Sequence, residues 1–118
     1  MDKVLNLRSD TVTKPTEEMY RAMAEAELGD DVSRDDPTVN RLEELAAEKI
    51  GKEAALFVAS GTMGNLCASL THTHPRESLI CESRSHTYEH EVGGAAALGG
   101  LLCRTIWGER GFMAPEAI

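Results

Sequence analysis

The stretch from Ala54 to Ile106 constrains the fold more than any other, because short apolar runs alternate there with segments of helical character. The run 54–59 (AALFVA) is continuously apolar, which suits a strand buried on both faces. The runs 78–82 (SLICE) and 101–106 (LLCRTI) predict two more strands. Between them, 62–72 and 88–98 predict helices, the second closed by Gly99-Gly100, and Pro75-Arg76-Glu77 predicts a loop. Strand, helix, strand, helix, strand is the order of a wound α/β sheet with crossover helices. No internal repeat or low-complexity segment interrupts it, and the small-residue run 93–100 suits a tightly packed helix.

Upstream, residues 4–13 (VLNLRSDTVT) lack a helical period and predict an extended arm or loop. Thr16 followed by Glu17 and Glu18 predicts a helix start, with a hydroxyl cap and carboxylates against the positive dipole end. Met19, Ala22, Met23 and Ala26 share one face of that helix, expected to run to about Glu27 and end near Gly29. Asp36-Pro37 opens a second helix whose stripe is Val39, Leu42, Leu45, Ala46 and Ile50, with Gly51 as its stop. The domain organisation expected is an amino-terminal arm, 1–14, and an α/β domain, 15–118. The segment 114–118 (APEAI) reads as the first turn of a helix, and the sequence halts inside it, so the domain is expected to be truncated at its C-terminal end.

A length of 118 residues allows one domain with a modest core. With aromatics at only 4%, that core must be built from Ala, Leu, Val, Ile and Met. A net charge of -8 repels phosphate backbones and acidic membranes, which argues against nucleic acid and membrane partners. Cys67, Cys81 and Cys103 form no Cys-x-x-Cys pair and sit among aliphatic residues, as reduced core thiols do. No apolar run approaches the roughly 20 residues of a membrane span, and no signal peptide opens the chain, so the expected location is cytoplasmic.

Two positions stand out chemically. Ser60-Gly61-Thr62-Met63-Gly64, between a strand and a helix, has the makings of a phosphate seat: glycine admits a close backbone approach, and helix-terminal N–H groups point at an anion. It is equally the form of an ordinary capped turn. His86 follows the second strand, and ligands of open α/β sheets bind beyond the carboxyl ends of strands. A surface or structural histidine would look the same in sequence. Neither a Walker motif nor Gly-x-Gly-x-x-Gly follows the strand, and no nucleophile elbow surrounds any Ser or Cys. His72 with His74, and His86 with His90, lack the companions that would complete a metal set, so no metal is expected; His86 is placed in the loop before the helix. The aspartates 30, 31, 35 and 36 predict a solvated or interface loop in which Asp36 acts as cap.

Several segments, taken together and in order, resemble the low-specificity L-threonine aldolases, in the broader group of β-eliminating lyases. They are Leu7–Thr13 (LRSDTVT), Gly29-Asp30-Asp31-Val32 with Asp35–Asn40 (DDPTVN), Gly51–Ala55 (GKEAA), Ser60–Asn65 (SGTMGN) and Glu91-Val92-Gly93-Gly94. The resemblance implies the amino-terminal portion of the large pyridoxal-phosphate-binding domain of a fold-type I, aspartate-aminotransferase-like enzyme. It implies that Ser60, Gly61 and Thr62 hold the cofactor phosphate. It also implies that His86 stacks on the pyridine ring near the substrate β-hydroxyl, and that Ser9 helps bind the substrate carboxylate. The reaction implied is cleavage of L-threonine or L-allo-threonine to glycine and acetaldehyde. The assembly implied is a homotetramer, a dimer of dimers, with the 30–37 loop contributing to a neighbour's site. The sequence departs from the family at Ser33-Arg34, where an aromatic residue and glycine are usual. None of Lys3, Lys14, Lys49 and Lys52 stands where the cofactor lysine is expected, which the family places downstream. A non-catalytic fragment or interaction module, and a lyase for another β-hydroxy amino acid such as phenylserine, remain the alternatives.

Overall fold

A computed structural model describes residues 4–118. It divides into two compact units, one ending at Phe57 and the other spanning Val58–Ile118. Residues 1–3 of the expected arm, including Lys3, lie outside the described residues.

In the first unit, the expected arm carries one 3-10 turn, Asp10–Val12, capped by the Ser9 hydroxyl. Helix α1, Glu17–Glu25, starts as the sequence predicts. Thr16 accepts from the Met19 N–H, and the Met19 sulfur accepts from the Thr16 N–H. Among the described residues its apolar face finds little cover, and Met19 and Met23 are both 58% exposed. Helix α2, Pro37–Ile50, has Asp36 as cap, Pro37 at its first turn and Gly51 at φ 69° as its left-handed stop. Only Ala47 of this helix is buried.

The acidic loop before α2 is tied into a knot. Asp36 accepts from Val39 N–H at 2.9 Å and from Gly29 N–H at 3.0 Å, and the Thr38 hydroxyl donates to the Glu27 carbonyl at 2.7 Å. The chain passes so close to itself here that a Cβ at Gly29 would strike the Asp35 carbonyl.

The second unit contains α3, Gly61–His72, β1, Ser78–Glu82, the short helices α4, His86–Glu89, and α5, Gly94–Ala97, and β2, Leu102–Ile106; a 3-10 turn follows at Pro115–Ala117. β1 and β2 pair in parallel, from Ser78 beside Leu102 to Glu82 beside Ile106, so α4 and α5 form the crossover. The α/β class with a parallel sheet is as expected. Its small core gathers where α5 meets α3 and β2: Ala95 and Leu101 are buried, and a Cβ at Gly99 would press on Leu70 and Leu101. Cys67, Cys81 and Cys103 are free and half-buried.

Three expectations need correction. The run 54–59 forms no strand; Leu56 and Phe57 are 71% and 49% exposed, and the Phe57 N–H donates to the Glu43 carboxylate instead of a ladder partner. A strand buried on both faces holds only when neighbours satisfy its backbone and layers cover it, and the described residues supply neither. Among the described residues the sheet accordingly has two strands, not three. The single helix expected over 88–98 is two helices parted at His90–Gly93, because Val92 and Gly93 adopt φ of 56° and 69° in succession. Two left-handed residues in a row end any right-handed helix.

Candidate active site

The Ser60 turn forms as a helix cap. The Ser60 hydroxyl accepts from the Met63 N–H at 3.1 Å, and α3 begins at Gly61. Among the described residues, the N–H groups of Gly61 and Thr62 and the Thr62 hydroxyl meet no protein acceptor. A Cβ at Gly61 would meet nothing within 4 Å, so space lies open against the backbone there. Free donors at the positive end of a twelve-residue helix, beside open space, fit a phosphate group.

His86 is the first residue of α4, not a residue of the preceding loop. It follows β1 closely, at the carboxyl end of that strand. The position is pinned by Glu82, whose carboxylate accepts from the Ser83 hydroxyl and from the Arg84 and Gly108 N–H groups. Those bonds, the Arg84 N–H above all, hold the Glu82 carboxyl below its usual value. His86 and His90 are therefore one turn apart, their rings 5.2 Å between centroids and tilted by 54°. Between them and β1, the Ser85 hydroxyl is buried with no partner among the described residues.

What joins the two expected sites is a residue to which sequence reasoning assigned no role. Glu91 is only 6% exposed, and its Oε1 accepts from Asn65 Nδ2 at 2.6 Å and lies 3.0 Å from His86 Nδ1. Asn65 stands one turn beyond Gly61 on α3. The helix that offers the free N–H groups is thus linked through Asn65 and Glu91 to His86. The Asn65 bond, opposed by desolvation and helped by His86, holds the Glu91 carboxyl below its ordinary value. Directly after Glu91 the chain turns sharply at Val92, which adopts φ 56°. A β-branched residue at positive φ is strained by about 1–3 kcal/mol, and Val92, 97% exposed, has no packing to offset it. The signal available in sequence was weak: an Asn on one helix and a Glu five residues after a His.

Ser9 belongs to the first unit. Its hydroxyl accepts from the Thr11 N–H at 3.2 Å and lies 2.9 Å from the Thr11 hydroxyl.

The family described as beta-eliminating lyase matches residues 6–118. A probable low-specificity L-threonine aldolase 2 of Arabidopsis thaliana is 54% identical over 108 residues, 91% of this chain and 30% of that protein. The low specificity L-threonine aldolase of Escherichia coli is 51% identical over 103 residues, 87% of this chain and 31% of that protein. The low specificity L-threonine aldolase of Saccharomyces cerevisiae is 48% identical over 98 residues, 82% of this chain and 25% of that protein. The chain spans less than a third of the length of these curated relatives.

Proposed function

The chain belongs to the beta-eliminating lyase family, and from that premise we propose that the whole protein is a pyridoxal-phosphate-dependent aldolase that cleaves L-threonine or L-allo-threonine to glycine and acetaldehyde. The observation that carries the reading is the link from the open α3 terminus through Asn65 and Glu91 to His86. It puts an anion seat and an imidazole on one frame.

Pyridoxal phosphate, when bound, supplies an electron sink for the Cα–Cβ bond. The residues of this chain bind and orient. The N–H groups of Gly61 and Thr62 and the Thr62 hydroxyl would hold the phosphate, while Ser60 holds the helix end in shape. The His86 ring would stack on the cofactor ring, and its nitrogen not engaged by Glu91 would take or hold the β-hydroxyl proton. Ser9 is assigned to the substrate carboxylate. On this reading the protein would work in the cytoplasm as a homotetramer, a dimer of dimers, with the 30–37 loop reaching a neighbouring subunit's site; exposed Leu56, Trp107 and Phe112 favour such burial.

The residues 58–118, which hold Ser60, Gly61, Thr62 and His86, contain no lysine. Pyridoxal phosphate added to the 118-residue chain is therefore expected to shift and broaden its phosphorus resonance without forming a borohydride-trappable adduct on one specific lysine. Substituting Thr62→Val is expected to weaken that binding several-fold, consistent with about 1 kcal/mol for one hydrogen bond. An unshifted phosphorus signal would sink the seat. For the activity, glycine release from threonine, allo-threonine and phenylserine by the whole protein decides between the aldolase and a related lyase.

A further inference from the structure

Both polar neighbours of Glu91 converge on a single oxygen, Oε1: Asn65 Nδ2 at 2.6 Å and His86 Nδ1 at 3.0 Å. Because the bonds to Asn65 and His86 keep this buried group in its charged form, it has no proton to give. The His86 contact is attractive only when Nδ1 carries the hydrogen, and a neutral imidazole has just one hydrogen to place. The other nitrogen, Nε2, then has a free lone pair. Among the described residues Nε2 has no hydrogen-bond partner, and the His86 side chain is 67% exposed.

We infer that Asn65 and Glu91 are positioning residues: Glu91 locks His86 as the Nδ1–H tautomer, Asn65 locks Glu91, and Nε2 is left outward as a proton acceptor. The short helix α4 ends at Glu89, and His90 leaves helical geometry at φ -120° and ψ -2°, which carries Glu91 to the Nδ1 side of the His86 ring five residues on. The titratable groups that face His86 are Glu91, just past the end of α4, and His90, whose own Nε2 lies 3.8 Å from Glu89. The proposal rests on the role given above to His86, but its test needs neither cofactor nor substrate. Loss of the aldolase reading and loss of this one are therefore separately visible.

The tautomer is read from long-range proton–nitrogen correlations of the histidine rings in the nitrogen-15-labelled chain at a pH where imidazole is neutral. His72, His74 and His90 serve as internal references, and His86→Gln assigns the signal. His86 is expected in about tenfold excess of the Nδ1–H form, the ratio a charge-assisted hydrogen bond sustains. Glu91→Gln and Asn65→Ala are expected to move His86 toward the Nε2–H form while leaving His72 and His74 unchanged. A wild-type His86 mostly in the Nε2–H form overturns the proposal, as does a ratio unmoved by Glu91→Gln in a chain whose amide spectrum remains folded. If the variants unfold, the wild-type ratio alone decides.

Discussion

Asp36 and Glu91 are both buried carboxylates, 8% and 6% exposed, and both are held below their ordinary ionisation range, yet they are held in different ways. Asp36 is bound by backbone. The Val39 and Gly29 N–H groups do most of the work, and every partner lies within seven residues. Glu91 is bound by side chains, one of them 26 residues away on another helix. A cap of the first kind forms wherever the local backbone forms. The second kind exists only after α3 and the segment from His86 to Glu91 have come together. Buried charge can thus be local architecture or assembled chemistry, and burial alone does not separate them.

The largest effect is expected where the Asp36 knot is tightest. Gly29→Ala drives a Cβ into the Asp35 carbonyl and against Asp36 Cα, so it is expected to cost about 3 kcal/mol or more in urea unfolding followed at α2. A near-neutral result would mean the knot does not close.

Acid comes next. The unfolded carboxyls titrate near 3.8 for Asp36 and 4.5 for Glu91, and the folded ones lower. Between those values the unfolded chain binds more protons, so stability present above about pH 5 is lost as pH falls through the folded values. Glu18 and Glu82 shift in the same direction. Asp36→Asn should flatten the part of this acid limb read at α2, and Asn65→Ala the part read at α3. Limbs that both variants leave intact at pH 3 to 5 would refute the assignment.

The smallest effect sharpens the contrast from the Glu91 side. Val92→Asn keeps the turn but relieves the β-branched strain, and is expected to stabilise the second unit by about 1 kcal/mol in thermal unfolding. A loss of stability would show that the valine is not strained there.

Much of the frame was legible because its causes are local. Thr16, Asp36-Pro37, Gly51 and Ser60 act through bonds to residues three or four away, and α1, α2 and α3 begin where those residues predict. The strands expected at 78–82 and 101–106, observed at Ser78–Glu82 and Leu102–Ile106, were legible from composition and flanking turns. The run 54–59 misled because an apolar stretch reports a wish for burial, while a strand requires a partner to pair with. The break at Val92 was illegible because nothing about an exposed valine announces positive φ.

By itself, the sequence determined where α1, α2 and α3 start, where α2 stops, the two strands that pair, and the candidate residues Ser60, Gly61, Thr62 and His86. The tertiary structure decided that His86 opens a helix and that its Nδ1 faces a buried carboxylate. It also decided that the carboxylate is tied to the helix carrying the open N–H groups. The reason is range: capping and periodicity act over one turn of chain, whereas desolvating Glu91 requires Asn65 and His86 to arrive from separate elements at one point.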